Sequence, residues 1–280
     1  MTSSNNGTSP AAVVRLDGVR VEYGAACALV APALVIAPGE KVFVLGKSGS
    51  GKTTLAKVIK GRLRPSSGNA FVLGKDPMSL DLRTRRAVQR RVAMIDQEFY
   101  LVPRMSVVAN VLSGALGRVG QWRSLLGWYP TEEWQKADAI LKEVELDGFG
   151  GRRVETLSGG QRQRTAIARA LMQEADVILA DEPVSNLDPE LAEDALELLV
   201  QCTQRRGVTL IVNLHQPRLA SRYATRVLGL SRGSIVFDGP PSALTATGEE
   251  FIYVADAPTP SAAVPGQPYH HDRPATALAR

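Results

Sequence analysis

The amino-acid sequence predicts an α/β fold built on a largely parallel sheet. Three observations carry that expectation. Short apolar runs such as Val42-Phe43-Val44-Leu45 and Val177-Ile178-Leu179-Ala180 are continuous rather than alternating, the pattern of strands buried on both faces. Longer segments of helical character separate them, and strands alternating with helices favour parallel pairing. A glycine-rich loop joins the first run to a helix, and two carboxylates close the second.

In chain order, residues 1–11 read as a loose leader. Met1–Pro10 is polar and lacks the charged and apolar regions of a secretory signal. Val13–Tyr23 and Ala28–Ile36 read as strands, with the Pro-Gly-Glu of 38–40 as a turn. Lys41–Leu45 is a short apolar strand, followed by the glycine-rich loop and a helix through Ile59. Residues 81–157 are expected to be mostly helical, with Arg-rich and Trp-containing segments. A further helix begins at Ser158, where Ser158 and Gln161 have the spacing of a capping box. Val177–Ala180 is a strand, 189–205 a helix and Val208–Leu214 a buried strand. Residues 251–280 are expected to form a disordered tail, with Pro258, Pro260, Pro265, Pro268 and Pro274 set among Ala, Thr and Gly.

Composition bounds the function classes. With 44% hydrophobic and 22% charged residues, the chain can bury an ordinary core, which excludes a fibrous or largely disordered protein. The net charge of +5 suits nucleotides, acidic lipid headgroups or nucleic acid without choosing among them. The two cysteines, Cys27 and Cys202, lie in no metal-ligand spacing, and a reducing compartment fits. The longest apolar run, Ala25–Pro38, is too short to span a bilayer and is interrupted by Pro32, so the chain is expected to be soluble or held at a membrane by a partner.

Gly46-Lys47-Ser48-Gly49-Ser50-Gly51-Lys52-Thr53 fits the pattern G-x-x-x-x-G-K-[ST], and it stands where that pattern has a mechanism, between a strand and a helix. Glycines let the backbone approach phosphates closely, and successive N–H groups with the helix N-terminus cradle the anion. Lys52 would supply positive charge to the β- and γ-phosphates, and Thr53 a hydroxyl to Mg²⁺. Downstream, Asp181-Glu182 end an apolar strand, and ligands of open α/β sheets lie beyond strand carboxyl ends. With a phosphate loop upstream, Asp181 would orient Mg²⁺, and Glu182 would accept a hydrogen bond from the attacking water and polarise it.

Leu157-Ser158-Gly159-Gly160-Gln161 opens a helix between these two motifs. In that position it resembles the signature motif of ABC ATPases. The rest of the chain resembles that family in order. Tyr23 matches the aromatic residue that stacks on adenine, and Gln97 the glutamine that touches Mg²⁺ and the membrane partner. Ser185-Asn186-Leu187-Asp188 resembles the D-loop, and His215 matches the switch histidine at the γ-phosphate. Each residue is common alone; the ordered set, over roughly 12–245, is specific. There are departures: Asp96 and Glu98 flank Gln97, and Asn186 stands where a small residue is usual.

The resemblance implies a nucleotide-binding domain over 12–250, with a mostly parallel core sheet, an antiparallel β subdomain and an α-helical signature subdomain at about 81–160. It implies ATP and Mg²⁺ as cofactors and catalytic roles for Glu182, His215 and Gln97. Thr53, Gln97 and Asp181 would serve the metal. Nucleotide contacts would come from Tyr23, Gly46–Thr53, Thr54, Ser158, Gly159, Gly160, Gln161 and Asp188. It also implies a head-to-tail homodimer, transmembrane permease subunits and, through them, a periplasmic or extracellular solute-binding protein. No nucleic acid is expected, and the location would be the cytoplasmic face of the inner membrane. Gln121-Trp122-Arg123-Ser124-Leu125-Leu126-Gly127 and Asn213-Leu214-His215-Gln216 resemble segments of phosphonate-importer ATP-binding subunits. A cassette for another cargo (a phosphate-like anion, an amino acid or a lipid) remains open. A soluble ABC ATPase acting on DNA or the ribosome fits less well, since those carry long insertions or two cassettes in one chain.

Overall fold

A computed structural model describes residues 12–119, 128–185 and 187–253. The expected leader, the Gln121–Gly127 segment, Asn186 and the chain beyond Tyr253 lie outside the described residues. The elements run β1 (Val14–Tyr23), β2 (Ala26–Ile36), β3 (Lys41–Leu45), α1 (Lys52–Ile59), β4 (Ser67–Val72), α2 (Leu82–Arg90), β5 (Val92–Ile95), α3 (Val107–Leu112) and α4 (Thr131–Glu143). They continue through α5 (Gly159–Met172), β6 (Val177–Asp181), α6 (Pro189–Arg205), β7 (Thr209–Leu214), α7 (Pro217–Tyr223), β8 (Arg226–Ser231), β9 (Ser234–Gly239) and α8 (Ala246–Tyr253).

The strands form one sheet in the order β4-β1-β2-β9-β8-β3-β7-β6-β5. Its centre is parallel: β3 pairs with β7 and β8, and β6 with β5 and β7. All six residues of β7 are buried, as are Val42–Leu45 of β3 and Val177–Ala180 of β6, so each strand is covered on both faces. One apolar cluster holds Phe43, Ile95, Ile167 and Leu199. The other, across the sheet, holds Leu16, Leu29, Leu55, Ile59 and Leu179. The antiparallel part comprises β4-β1-β2, and β9 pairs antiparallel with β8. In β1 buried and exposed residues largely alternate, which is how a strand with one wet face reads.

Helix starts follow capping chemistry. The Asp81 carboxylate accepts from the backbone N–H of Arg83 and Thr84, and Asp188 from that of Leu191. At α5 the expected capping box is present: Ser158 Oγ accepts from Gln161 N–H, and the Gln161 side chain accepts from Ser158 N–H. Helix α1 differs. Its N-cap is Gly51 at φ 105°, and no side chain caps it.

Three features depart from the expected pattern. Within 81–157 helical segments cover 82–90, 107–117 and 131–143 of the described residues, but Val92–Ile95 is a core strand in register with β6, Ile95 opposite Ala180. The four apolar residues of this strand follow directly on an Arg-rich helix, so no break in composition marked it. Strands β4, β8 and β9 were not foreseen; β8 and β9 are joined by a tight turn with Arg232 and Gly233 at positive φ. Finally, the last helix runs to Tyr253, past the expected boundary at 250, and Ile252 in it is 1% exposed.

Candidate active site

The carboxyl ends of three parallel neighbours, β3, β6 and β7, converge because their registers pair Leu45 with Leu214 and Asp181 with Asn213. The segments that leave these ends carry Gly46–Thr53, Glu182 and His215. Within the first, Gly46, Gly49 and Gly51 all have positive φ. A side chain at Gly46 would lie 2.4 Å from the Leu230 carbonyl oxygen, and one at Gly51 would lie 2.6 Å from that of Ala28. Glycine at these two positions is therefore a packing requirement as well as a conformational one. Ser50 Oγ is buried in the loop without a hydrogen-bond partner.

Lys52 is 4% exposed and folds back along the loop, donating from Nζ to the carbonyl oxygens of Gly46 (2.8 Å) and Lys47 (3.0 Å). Burial holds its pKa below the usual lysine value, opposed by the charges of Glu182 and Asp181. Lys52 Nζ lies 3.9 Å from Glu182 Oε1. Glu182 has φ 50°, a left-handed backbone that is costly for a non-glycine residue and persists only where the surroundings enforce it. Its N–H donates to the Asn213 carbonyl (3.1 Å), and its carboxylate meets His215 Nε2. The other ring nitrogen, Nδ1, lies 2.9 Å from the Gly46 carbonyl oxygen. An imidazole spanning the loop carbonyl and the carboxylate joins two of the three segments to the third.

Asp181 is steered by a residue missed as a site residue. Asn213 is 3% exposed and donates from Nδ2 to Asp181 Oδ1 at 2.7 Å. The signal was available, since Asn213 is the one amide in the otherwise apolar end of β7. Arg169 was missed too. From α5 its guanidinium donates to the carbonyls of Tyr100 (2.7 Å) and Phe99 (2.5 Å), which both have positive φ just after Gln97.

The remaining expected residues lie around this centre without joining it. Thr53 is exposed and Thr54 half-buried in the first turn of α1; Lys47, Ser48 and Gly49 are exposed. Tyr23 is 51% exposed at the end of β1, in the hairpin whose Ala28 carbonyl approaches Gly51. Gln97 is exposed after β5, beside a cleft of about 420 Å³ also lined by Glu98, Phe99, Gly159, Arg162 and Leu187. Among the described residues no hydrogen bond or ion pair links the Ser158–Gln161 turn to the Gly46–Thr53 loop. Asp188 caps α6. A larger cleft, about 1140 Å³, lies toward the opposite end of β5 and is lined by Lys60, Arg62, Arg83, Arg86 and Arg90.

Comparison with known proteins gives the same picture. A family model described as ABC transporter matches residues 31–185. The phosphonates import ATP-binding protein PhnC of Alcaligenes faecalis is 41% identical over 223 residues, 80% of this chain and 81% of that protein. PhnC 1 of Natronomonas pharaonis is 44% identical over 232 residues, 83% of this chain and 95% of that protein. Among solved structures, cbiO1 of Clostridium perfringens, part of the ABC transporter complex cbiONQ, superposes with a TM-score of 0.75. It is 25% identical over 85% of this chain and 92% of that one. The cassette MJ0796, solved as a dimer in a post-hydrolysis state with ADP and Pi, is 30% identical with a TM-score of 0.68, over 81% and 98%.

Proposed function

The chain belongs to the ABC transporter family of ATP-binding cassettes, and we propose that it hydrolyses ATP with the Gly46–Thr53 loop, Glu182 and His215 to drive uptake of phosphonates. The observation that carries the chemistry is the meeting of Lys52, Glu182 and His215 over one glycine loop. The uncapped, positive end of α1 and the loop N–H groups take the phosphates of ATP, and Lys52 turns from the loop carbonyls to the β- and γ-phosphate oxygens. Glu182 accepts a hydrogen bond from the attacking water and takes its proton as the water oxygen bonds to the γ-phosphorus; the Pγ–O bond to ADP breaks, and ADP and phosphate are released. His215, with one ring nitrogen on the Gly46 carbonyl and the other on the Glu182 carboxylate, holds Glu182 in line.

Mg²⁺ fits the residues present. It takes hard oxygen ligands and is held by one or two protein groups together with substrate phosphates. The exposed Thr53 hydroxyl and the Asp181 carboxylate, oriented by Asn213, are donors of that kind. Held by Thr53 and Asp181, the ion would offset the negative charge of the phosphates. Gln97, two residues beyond β5, is assigned to the same ion and to the permease.

Tyr23, exposed at the loop's edge, stacks on adenine. Ser158–Gln161 and Asp188 serve the nucleotide of a second copy, so two chains join head to tail. No helix among the described residues is long and apolar enough to cross a membrane, and the cassette works with permease subunits. We place it on the cytoplasmic face of the inner membrane, with a solute-binding protein delivering cargo from the other side. The basic cleft at Arg83, Arg86 and Arg90 offers charge complementarity to an acidic permease segment.

Phosphonate cargo rests on the relatives named phosphonates import ATP-binding protein. The test is ATPase activity of the complex reconstituted with permease and binding protein. Stimulation by a phosphonate and not by amino acids or sugars is expected; stimulation only by an unrelated solute overturns the cargo and leaves the ATPase standing.

A further inference from the structure

Helix α8 lies where the domain was expected to have ended, yet it reaches the reaction centre. Tyr253 Oη donates to the main-chain carbonyl of His215 at 3.1 Å. The ring is half-buried against the core that includes Leu214 and Leu219, and burial pushes the phenol pKa up to about 12, so the hydroxyl keeps its proton and can donate throughout the physiological range. A second contact fixes the helix. Ile252 packs on Gly229 so closely that a side chain there would come within 2.5 Å of Ile252 Cδ1. Gly229 pairs in register with Leu45, the residue before Gly46. Helix α8 is thus seated on the strand beside the phosphate loop and bonded to the backbone of the residue that bridges Gly46 and Glu182.

His215 opens the turn between β7 and α7 and is exposed, so little packing restrains its backbone on the solvent side. The imidazole must meet the Gly46 carbonyl and the Glu182 carboxylate together, and small rotations of the residue would break one contact or the other. A donor on its carbonyl from an independently anchored helix removes that freedom. We propose that Tyr253 is a positioning residue for ATP hydrolysis, its hydroxyl fixing the His215 main chain so that the imidazole stays between Gly46 and Glu182. This rests on the reading of His215 as part of the hydrolytic site.

The experiment compares the full chain with its Tyr253→Phe and His215→Ala variants. Phenylalanine keeps the ring and its packing and removes the donor alone. In Tyr253→Phe, kcat is expected to fall about two- to tenfold, the span one hydrogen bond sustains, while the dissociation constant for ATP stays unchanged. The chain has three histidines, so the imidazole ¹⁵N signals of His215 are identified by their loss in His215→Ala, and they are expected to shift in Tyr253→Phe. A purely structural role would lower Tm without moving kcat per folded enzyme or the His215 signals. If His215→Ala loses activity while Tyr253→Phe keeps the full kcat, the positioning role is overturned and the hydrolytic site stands. If His215→Ala keeps its kcat, the reading beneath the proposal fails as well.

Discussion

Replacing Asn213 by alanine isolates the steering of Asp181 from every other part of the site. The Asn213 side chain is buried at the end of β7, and its amide gives Asp181 a hydrogen bond of 2.7 Å. Its main-chain carbonyl, which receives the Glu182 N–H, is kept in the variant. The loss is therefore one hydrogen bond to a charged acceptor, worth about 1.5–3 kcal/mol. If Asp181 serves Mg²⁺ only when so oriented, that energy appears in the Mg²⁺ dependence. At about 1.4 kcal/mol per decade, the Mg²⁺ concentration for half-maximal ATPase activity should rise about 10- to 150-fold. Nucleotide affinity measured in EDTA should not change, because Asn213 touches neither the glycine loop nor Lys52. Truncation also leaves a small cavity, so Tm should fall by a few degrees whatever the site does. The reasoning is refuted if Tm falls and the Mg²⁺ dependence stays put, for then Asn213 is a core residue that happens to lie beside Asp181.

Three further outcomes are expected. Glu182→Gln should keep ATP binding and lower kcat by about 10²- to 10⁴-fold, the contribution of a general base; single-turnover hydrolysis near the native rate would remove Glu182 from its role. Ile252→Ala should destabilise the chain by about 2–5 kcal/mol in chemical denaturation, as for other fully buried aliphatic truncations; a loss under 0.5 kcal/mol would mean that α8 is not docked. Hydrogen bonding to Arg206 holds the Glu143 carboxyl below its ordinary value of 4.5. The stability it adds is present above that value and disappears as pH falls through the lower, folded one. The Tm difference between the native chain and Glu143→Gln should accordingly shrink between pH 5 and pH 3; a difference that does not vary with pH would assign the pair no titrating role.

The sequence was most legible where chemistry and local structure demand the same residues. Gly46–Thr53 could be placed between a strand and a helix because its glycines, Lys52 and Thr53 have no cheaper explanation together. Asp181 and Glu182 could be placed because a four-residue apolar run ends on them. Ser158 and Gln161 form the expected capping box because that motif is local. What escaped depends on long-range pairing. Val92–Ile95 is a strand only because β6 lies beside it, and nothing within those four residues distinguishes a strand from a helical turn. Asn213 matters through a bond to a residue 32 positions away, and Tyr253 through one to a residue 38 positions away. Arg169 bonds two carbonyls about 70 positions earlier. A single sequence gives each of these side chains no local partner by which to recognise it.

The central claim is that the Ser158–Gln161 turn of one chain completes the ATP site of another. Its most direct test is sedimentation velocity with Mg-ATP on Glu182→Gln, which is expected to bind ATP without hydrolysing it, and on Glu182→Gln combined with Ser158→Asp. Aspartate caps a helix as well as serine does, so α5 keeps its start, but it sets a negative charge where the facing γ-phosphate would lie. The account predicts that Glu182→Gln sediments at twice its monomer mass with ATP and that the double variant stays monomeric with its ATP affinity intact. A double variant that still dimerises, or a Glu182→Gln chain that remains monomeric while saturated with ATP, would contradict it.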